Sequence, residues 1–584
     1  LFFEYILYFY IICFNIINVI RSVYLMKEYF MEPKQIVVIG GVAAGASFAA
    51  RVRRLNEHAR IILVERGKDV SFANCGLPYY IGGEIQTRGA LSVQTPETLK
   101  ALLNLDVKTH TEAIRIDREK KQVYVKNIIS GEDEWLDYDK LMLAPGASPR
   151  IPDVPGIHHE KILTLRNLAD MDRISEVAKA GKRAVVVGAG FIGLEMAEQL
   201  HRKGLSVEVV QYGPQVLPQL GKRMAKLLEN ELVQHGIVLH LNDRVVRYEN
   251  RNSILECFLE SGTVLKADFV VLSVGVEPES RLAREAHLVL GKNGHIVVND
   301  FMQTSDADIY AAGDVVETAH RLSNERTAVP LGGPANRQGR VAADHIFLGE
   351  KARPYPGSLG TAIVRVFGTT AGTVGWSENA LEKNGRSYGM VTVNDFHHAG
   401  YYPGAKPLVL TVFWDRDTDV LLGAQAAGQE GVDKRLDVMA TAIAAQMTID
   451  DLVHLELAYA PPFGSAKDIV NIAGFAATNK RDGLVDTISE LPDNPDAQII
   501  DVRAKAMADA DPVAGGINIP MPALRNHLDR LDRDKPVVTV CALGKNSYFA
   551  SRILKQNGFD VKSLEGGMKM MTTGRAGLSG KKDE

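Results

Sequence analysis

The sequence predicts an α/β protein built from several units, and three patterns lead to this prediction. An apolar strand at 34–40 runs into a glycine-rich turn and an amphipathic helix, and the same order returns at 183–202. Residues 356–475 alternate apolar and polar positions, which is typical of an antiparallel sheet. Near the carboxyl terminus, parallel-type strands at 498–503 and 536–541 flank a helical segment and indicate a small separate α/β domain.

Size, charge and cysteine content narrow the possible functions. A chain of 584 residues has room for roughly three to five structural units. The net charge of -4 gives no reason to expect a nucleic-acid partner. The four cysteines are far apart, without a CxxC or a Cys/His cluster, so we expect neither a metal site nor a secreted disulfide framework: Cys13, Cys75, Cys257 and Cys541. A reducing cytoplasm fits best, and Cys257 in an alternating strand reads as inert core.

The first residues differ from the rest of the chain. Residues 1–20 are almost wholly apolar, with Glu4 as the only charge, and their length suits a membrane span. Their composition also matches translated upstream DNA, with the true start at Met26 or Met31, and a signal peptide is a third alternative. The extension is therefore a start artefact or an anchor, and a membrane is a partner only if the segment is genuine.

The first strand–turn–helix unit continues into a second strand at 61–65 and forms a βαβ unit. Its turn keeps Gly40 and Gly45 but has Val42 at the middle glycine position. Glu65 stands 25 residues past Gly40, where a carboxylate can accept the hydroxyls of a ribose. The candidate dinucleotide-binding residues here are Gly40, Val42, Ala43, Ala44, Gly45, Glu65 and Arg66.

The second unit carries a complete glycine fingerprint and therefore predicts a second dinucleotide. Its binding residues would be Gly188, Gly190, Phe191, Ile192, Gly193, Gln211 and Gly275. Gln211 ends the second strand, where an acidic residue would favour NADH. Because an amide neither repels a 2′-phosphate nor binds free hydroxyls as a carboxylate does, NADH and NADPH both stay open.

A single cysteine follows the first unit. Residues 71–79 read Ser-Phe-Ala-Asn-Cys-Gly-Leu-Pro-Tyr, and no second cysteine lies four or five positions from Cys75. A flavoprotein that reduces disulfides through an internal dithiol needs a pair at this place. Whatever Cys75 attacks must therefore stay attached to it as a mixed disulfide, a persulfide or a sulfenic acid.

These motifs resemble a known family. The two fingerprints, the turn at 144–146 and the Gly313–Asp314 pair look like the pyridine-nucleotide disulfide oxidoreductases. The cysteine run, with residues 397–404 and 459–468, is similar to the single-cysteine coenzyme A-disulfide reductases, and the C-terminal module to their rhodanese fusions, which include NADH-dependent persulfide reductases.

The resemblance implies a fold and a set of domain boundaries. We expect an α/β protein with two Rossmann-like dinucleotide-binding domains for FAD and NAD(P)H, an α+β dimerisation domain and a C-terminal rhodanese-like α/β domain. The expected boundaries are an N-terminal extension at 1–32, the FAD-binding domain at 33–150 and 276–355, the NAD(P)H-binding domain at 151–275, the dimerisation domain at 356–478, the rhodanese-like domain at 491–575 and a tail at 576–584. The charged stretch Asn-Lys-Arg-Asp at 479–482 itself indicates a linker, expected at 479–490.

The same resemblance assigns roles to particular residues. Ala113, Ala144, Pro145, Gly146, Gly313 and Asp314 would join the FAD site, Asp314 near the ribityl chain or the pyrophosphate, although an Asp there can also simply cap a helix. Cys75 would be the redox nucleophile, at the start of a helix whose dipole favours the thiolate. Coenzyme A, as substrate or bound ligand, would contact Ser47, Arg51, Arg54, Asn336 and Lys467, with Ser71 and Asn74 at the substrate end. Tyr401 and Tyr459 would reach the active site of the other subunit of a homodimer.

The C-terminal loop at 541–547 resembles the sulfur-binding loop of a rhodanese. It follows a strand and precedes a helix, so its backbone N–H groups can converge on a Cys541 persulfide. Asn546 replaces the usual arginine, and Met568 follows Gly566 and Gly567 where an aromatic residue is usual. The domain is therefore an active sulfur carrier, with Lys545 supplying the missing charge, or a degenerate structural domain.

The functional hypothesis is an FAD-dependent NAD(P)H oxidoreductase that reduces coenzyme A disulfide, coenzyme A persulfide or polysulfide through Cys75. The main alternative is an NADH oxidase or peroxidase that cycles through a cysteine sulfenic acid. Such peroxidases usually place a histidine at the start of the first helix, where this chain has Ala43. A flavin-bearing redox sensor is a third class, and no segment that would read DNA or dock a partner supports it.

Overall fold

The computed structural model describes residues 34–571, apart from positions 324, 493 and 495. The predicted extension at 1–32 and tail at 576–584 lie outside the described residues. Within the described range, no helix is both long enough and apolar enough to cross a bilayer.

Residues 34–150 form most of a first parallel sheet and its surrounding elements. Residues 36–39 are an uninterrupted apolar run because the sheet is covered on both faces, and each of them is buried. The strands are β1 (Gln35–Ile39), β2 (Arg60–Val64), β3 (Asp106–Lys108), β4 (Thr111–Asp117), β5 (Gln122–Asn127), β6 (Asp133–Asp137), β7 (Lys140–Leu143) and β8 (Ala147–Pro149), and the helices are α1 (Ala43–Leu55), α2 (Leu77–Gly82) and α3 (Pro96–Leu103).

Residues 151–275 repeat this arrangement. The strands are β9 (Ile162–Thr164), β10 (Arg183–Val187), β11 (Ser206–Gln211), β12 (Val238–Leu241), β13 (Val245–Arg251), β14 (Ile254–Leu259), β15 (Val264–Ala267) and β16 (Phe269–Leu272), and the helices are α4 (Leu168–Val177), α5 (Phe191–Arg202) and α6 (Lys222–Gln234). The parallel sheet has the order β12-β11-β10-β16-β9. Cys257 on β14 is fully buried, and burial raises its pKa to about 12, which makes it an unreactive core thiol.

Residues 276–355 return to the first sheet. They contain β17 (Val276–Pro278), β18 (Ile296–Val297), β19 (Ile309–Ala311), β20 (Val316–Ala319) and β21 (Arg326–Thr327), with helices α7 (Arg281–Glu285) and α8 (Gly332–Leu348). β19 pairs with β7, so the sheet order is β3-β2-β1-β7-β19. After β1, the chain adds β2 and β3 on one side and later β7 on the other side. Ligands of such folds bind at the place where the strand order switches in this way.

The next unit is an antiparallel sheet covered by helices. It comprises β22 (Ala362–Val366), β23 (Thr369–Gly375), β24 (Tyr388–Phe396), β25 (Pro407–Asp415) and β26 (Leu421–Gly428), with α9 (Glu378–Lys383), α10 (Val432–Ala444), α11 (Ile449–His454) and α12 (Ile469–Arg481). The order is β22-β23-β26-β25-β24, so β24 is an edge strand.

The last unit is a small parallel sheet with the order β27-β31-β30-β28-β29. Its elements are β27 (Asp486–Ile488), β28 (Gln498–Asp501), β29 (Gly516–Asn518), β30 (Val537–Val540) and β31 (Val561–Leu564), with α13 (Lys505–Ala510) and α14 (Lys545–Gln556). Cys541 follows β30 directly, at the carboxyl edge of the sheet. The α/β class with its four predicted units is confirmed.

The predicted linker at 479–490 is wrong in two places. Residues 479–481 belong to the last turn of α12, and residues 486–488 are strand β27 of the final sheet. The charges that suggested a linker instead stabilise a helix end, where cations suit the helix dipole. Arg481 Nη1 contacts Asp419 at 2.9 Å and Asp450 at 2.5 Å.

Candidate active site

The first glycine turn packs against the end of β7 so closely that side chains do not fit. A Cβ at Gly40 would lie 2.1 Å from the carbonyl oxygen of Ala144, and one at Gly45 would lie 1.8 Å from the carbonyl oxygen of Gly40. Glu65 accepts the Gly41 N–H at 2.9 Å, which holds the turn to the end of β2. Val42, Ala43 and Ala44 carry the chain from this turn into α1.

A cavity of about 100 Å³ opens beside this turn. Five of its lining residues were predicted from the sequence: Gly40, Glu65, Arg66, Ala113 and Pro145. Thr111, Glu112, Arg166, Glu279 and Arg281 were missed. Arg166 donates to the carbonyl oxygen of Pro145 at 2.9 Å, but it lies on a segment without any nucleotide motif, so no sequence signal could have found it. Glycines without side chains beside the Glu65 carboxylate fit the adenosine end of FAD, whose ribose hydroxyls such a carboxylate could accept.

Gly313 and Asp314 complete this region. They follow β19 and lie beside a helix start, that of α1, as predicted, but the chain then continues into β20, so Asp314 does not cap a helix that directly follows it. Gly313 donates its N–H to Gln338 Oε1 in the body of α8 at 2.8 Å and lies beside Ala44. Burial raises the pKa of Asp314, and Arg166 partly opposes the rise. Gly146, at φ +75°, closes the turn after β7.

The second glycine turn repeats the geometry of the first. A Cβ at Gly188 would lie 2.3 Å from the carbonyl oxygen of Ser273, and one at Gly193 would lie 1.9 Å from that of Gly188. Gly190 faces open space, as a glycine that lets a pyrophosphate approach should. Gln211 Oε1 accepts the Ala189 N–H at 2.9 Å, in the role that Glu65 has in the first turn.

The other predicted residues of this second group frame the same turn. Phe191 is half-buried and Ile192 is exposed at the start of α5, and Gly275 follows β16 with φ +103°. The turn thus offers free backbone N–H groups at a helix start, which suits a second dinucleotide.

Cys75 is exposed in a short 3₁₀ turn, Asn74–Gly76, before α2. Its sulfur lies 3.8 Å from Asn74 Oδ1, and Ser71 has φ +46° in the loop that leads to it. That the helix dipole favours the thiolate stays a prediction, and the other surroundings of Cys75 oppose it. Although the side chain reaches solvent, loss of hydration on its protein side acts first, and then the Glu195 and Asp314 carboxylates, to raise the pKa of Cys75, while a backbone hydrogen bond acts in the opposite direction.

Glu195 is a second titratable group at this site that the sequence reasoning missed. Tyr79 Oη on α2 donates to Glu195 Oε1 on α5 at 3.1 Å. Burial raises the pKa of Glu195 to about 7; the bond from Tyr79 and the Arg365 charge oppose the rise, and Glu198 adds to it. The sequence offered one signal for Glu195: it lies in the first turns of α5, the helix that follows the second glycine fingerprint. The pair links the cysteine helix to the second dinucleotide unit.

Three of the predicted coenzyme A contacts lie together between α1 and α8. The Ser47 hydroxyl is hydrogen-bonded to Asn336 Oδ1. Arg51 Nε pairs with Asp344 Oδ1 at 2.5 Å, and Arg54 is exposed three residues further along α1. Lys467 is also exposed, just before α12 in the dimerisation domain, and no contact in the described chain joins it to the other four residues.

The two predicted tyrosines contact each other, 3.1 Å apart between their hydroxyl oxygens. Tyr401 is 76% exposed and Tyr459 is 49% exposed. A buried ion pair holds their loops in place: Arg435 contacts Asp468 at 2.6 Å and also donates to the carbonyl oxygen of His397 at 2.7 Å. Across residues 34–571, no hydrogen bond joins either tyrosine to Cys75 of the same chain.

The Cys541 loop has the shape of a sulfur site. The Gly544 N–H donates to Cys541 Sγ at 3.1 Å, and Ser547 Oγ lies 3.5 Å from the sulfur. A Cβ at Gly567 would lie 2.6 Å from the carbonyl oxygen of Cys541, so the glycine turn behind the loop is sterically required. Lys545 and Asn546 are exposed at the start of α14.

Family models match three stretches of the chain. Residues 34–338 match the pyridine nucleotide-disulphide oxidoreductases, residues 361–469 match the dimerisation domain of these enzymes, and residues 484–572 match the rhodanese-like domain.

Individual relatives point the same way. The coenzyme A disulfide reductase of Staphylococcus aureus (strain bovine RF122 / ET3-1) is 37% identical over 445 residues, which cover 76% of this chain and 99% of that protein. The structure of reduced Bacillus anthracis CoADR-RHD is 42% identical, with a TM-score of 0.89, and the match covers 92% of this chain and 98% of that one. The NAD-dependent persulfide reductase from A. fulgidus is 40% identical, with a TM-score of 0.88 and coverage of 92% and 99%.

A water-forming NADH oxidase from Lactobacillus brevis is more distant, at 26% identity and a TM-score of 0.74, with coverage of 77% and 99%. The expected resemblance to a coenzyme A-disulfide reductase–rhodanese fusion is confirmed. Since the first family model spans more than half of the 584 residues, the protein belongs to the pyridine nucleotide-disulphide oxidoreductases and carries their dimerisation domain and a C-terminal rhodanese-like domain.

Proposed function

We propose that the protein uses NAD(P)H to reduce coenzyme A disulfide, coenzyme A persulfide or polysulfide, with Cys75 as the redox thiol and Cys541 as a carrier of sulfane sulfur. The observation that carries the proposal is a single exposed thiol placed between groups of both dinucleotide units, Asp314 of the first and Glu195 of the second. The relatives named coenzyme A disulfide reductase and persulfide reductase support it.

The cofactors are FAD and NAD(P)H, as in the family. FAD, when bound, supplies two-electron transfer between a nicotinamide and a thiol or disulfide. Gly40, Gly45 and Glu65 would hold its adenosine end, and the turn from Gly188 to Gly193 would hold the nicotinamide nucleotide.

The reaction at Cys75 balances with one acceptor and one hydride donor. The Cys75 thiolate attacks a sulfur of the acceptor, the acceptor S–S bond breaks, and a thiol leaves while a new S–S bond forms on Cys75. Two electrons from NAD(P)H break that bond and restore the thiolate. With coenzyme A disulfide, NAD(P)H and one proton give NAD(P)⁺ and two coenzyme A thiols; with coenzyme A persulfide they give one thiol and hydrogen sulfide.

Coenzyme A recognition would rest on the α1–α8 surface. Arg51 contacts Asp344 through Nε, and Arg54 is exposed on the same helix. Guanidinium groups bind phosphates through paired hydrogen bonds. Ser47 and Asn336 would contact neutral parts of the ligand, and Lys467 would add a charge.

A homodimer with shared active sites is part of the proposal. The tyrosine pair, Tyr401 and Tyr459, is exposed together with Phe463, which is typical of a surface that a second subunit covers. Their phenols would donate hydrogen bonds to the sulfur on the other subunit's Cys75. A reducing cytoplasm suits thiols that must stay unpaired, and the cysteines within residues 34–571 are free.

The test is anaerobic steady-state kinetics with NADH and NADPH against coenzyme A disulfide, coenzyme A persulfide and polysulfide, with sulfide measured. We expect Cys75→Ser to retain FAD and lose turnover with each acceptor. Cys541→Ser should still reduce coenzyme A disulfide but lose sulfane sulfur loading from a persulfide donor. Full turnover in Cys75→Ser would contradict the proposal.

The NADH oxidase alternative has one observation in its favour, the Lactobacillus brevis structure. It predicts rapid NADH-dependent oxygen or peroxide consumption in the absence of any sulfur acceptor. Measuring that rate on the same enzyme preparation separates the two functions.

A further inference from the structure

We propose that Asn394 of the dimerisation domain is a positioning residue for the Cys541 sulfur and that it acts through the peptide group between Leu543 and Gly544. This inference rests on the proposed role of Cys541 as a sulfur carrier. It assigns part of the sulfur site to a domain other than the rhodanese-like one.

The geometry joins Asn394 to the sulfur in two steps. The Gly544 N–H donates to Cys541 Sγ at 3.1 Å. The carbonyl group of the same peptide, that of Leu543, accepts a hydrogen bond from Asn394 Nδ2 at 3.0 Å. Because a peptide group is planar, fixing its carbonyl oxygen also fixes the direction of its N–H. A hydrogen bond to the carbonyl further polarises the N–H and strengthens its bond to a thiolate or persulfide.

Asn394 also holds the turn behind the loop. Its Nδ2 donates to the carbonyl oxygen of Gly566 at 3.0 Å, so both amide hydrogens of the side chain are used. The next residue, Gly567, packs against the loop, since a Cβ there would lie 2.5 Å from the Gly544 nitrogen. One side chain therefore ties the sulfur loop and its supporting turn together.

The strand that carries Asn394 is anchored to the rhodanese-like domain. On the edge strand β24, the Thr392 N–H donates to Glu565 Oε1 at 2.6 Å. Glu565, whose side chain is 4% exposed, also accepts from Lys480 at 3.3 Å and from Thr487 at 3.1 Å. Thr392 and Asn394 are two residues apart and so lie on the same side of the strand, which holds Asn394 against the loop.

The departure of this loop from the rhodanese pattern makes the backbone donor more important. Asn546 stands where an arginine would otherwise contribute a charge, and Lys545 is exposed at the helix start. The Gly544 N–H, in contrast, contacts the sulfur directly, at 3.1 Å.

The test compares full-length holoenzyme variants. Asn394→Ala removes both donors, and Asn394→Asp keeps the side-chain size but also removes them. Asn479→Ala is the matched control, because Asn479 donates to Tyr548 Oη at 3.1 Å across the same domain boundary without touching the loop. Iodoacetamide alkylation of Cys541 is followed across pH by mass spectrometry of its peptide, next to sulfur loading from glutathione persulfide, in which the sulfur moves to Cys541 and glutathione thiolate leaves.

We expect alkylation of Cys541 at pH 7 to slow by roughly three- to tenfold in both Asn394 variants, with the pH midpoint of the reaction shifted upward, since one hydrogen bond to a charged sulfur weakens. Coenzyme A disulfide reduction at Cys75 and the Asn479→Ala profile should match the wild type. A wild-type profile in both Asn394 variants, or an equal shift in Asn479→Ala, would overturn the inference. If wild-type Cys541 takes up no sulfur, the carrier function fails, while the alkylation comparison still decides the role of Asn394.

Discussion

At Cys75 the surrounding charges oppose the thiolate state that the proposed reaction requires. A nucleophilic thiol must lose its proton, yet burial and the carboxylates of Glu195 and Asp314 raise its pKa. The thiolate fraction therefore grows only as the pH rises. The pKa of Glu195 is itself raised to about 7, so the charge of this carboxylate changes in the pH range where the enzyme would work.

Substituting Glu195 tests this electrostatic coupling. Glu195→Gln removes one of the charges that raise the Cys75 pKa, so the pH midpoint of Cys75 alkylation should fall and the rate at pH 7–8 should rise. Glu208→Gln is the control, because Glu208 contacts His240 at 2.7 Å and is not among the groups that act on Cys75. An unchanged midpoint in Glu195→Gln would show that Glu195 does not contribute to the raised pKa of Cys75.

Glu195 also makes stability depend on pH. Its pKa lies above the ordinary 4.5 in the folded protein, so between that value and about 7 the folded state binds more protons than the unfolded one. Its contribution to stability is therefore present at low pH and lost as the pH rises towards 7. In thermal melts, Glu195→Gln should gain stability relative to wild type across this window, and a constant difference would contradict the assignment.

At the scale of the elements, the two glycine turns contain positions where the neighbouring backbone leaves no space for a side chain. The turn between β10 and α5 separates two roles that glycine can have. Gly193 is needed for packing, since its Cβ would lie 1.9 Å from a carbonyl oxygen, whereas Gly190 faces open space.

Alanine at these two positions should therefore give different defects. Gly193→Ala should destabilise the second dinucleotide unit by about 2 kcal/mol or more through overpacking. Gly190→Ala should leave the thermal unfolding of the protein nearly unchanged but raise the KM for NADH, because the methyl group blocks the approach of the pyrophosphate. Thermal melts and NADH titrations distinguish the two, and equal destabilisation would contradict this division.

At the scale of the whole molecule, the rhodanese-like domain is docked on the rest of the chain. Arg223 on α6 donates to the carbonyl oxygen of Met570 at 3.0 Å, and Glu565 contacts both β24 and Lys480 on α12. Lys480, which the sequence placed in a linker, thus forms part of the interface between the two domains. The docking keeps the sulfur loop beside β24 and explains how a residue of another domain reaches it.

Loss of the buried carboxylate should loosen the docking. Glu565→Gln weakens its bonds to Thr392 and Lys480, and we expect a cost of about 2 kcal/mol, seen as faster amide hydrogen exchange in residues 484–571. Asp486→Asn is the matched control, since its pair with Lys555 at 2.7 Å lies within the domain and is largely exposed. That change should cost under about 0.5 kcal/mol.

Shared active sites predict a complementation result. A heterodimer of a Cys75→Ser subunit and a Tyr401→Phe/Tyr459→Phe subunit contains one site with an intact cysteine and intact tyrosines if the tyrosines act across the interface. Its turnover should then approach half of the wild-type value. If the tyrosines serve their own subunit, both sites are defective, and the heterodimer should be no more active than the parents.

Four features could be predicted from local sequence patterns: the α/β class, the two glycine turns, the lone Cys75 and the Cys541 loop. These features depend on residues within a few tens of positions of each other, where periodicity, glycine spacing and strand–turn–helix order act locally. The error about the linker was also local in origin, because charge at 479–481 was taken for a linker.

Which groups face the two sulfurs depends on the packing of parts of the chain that are far apart in sequence. Tyr79 meets Glu195 across 116 positions, and Asn394 meets Leu543 across 149. Such pairs arise from how separate units pack, and burial between those units then shifts the pKa values of Cys75 and Glu195. No local pattern encodes that packing, so a chemical role for each cysteine can be proposed from the sequence, while the charged and polar groups around each sulfur cannot.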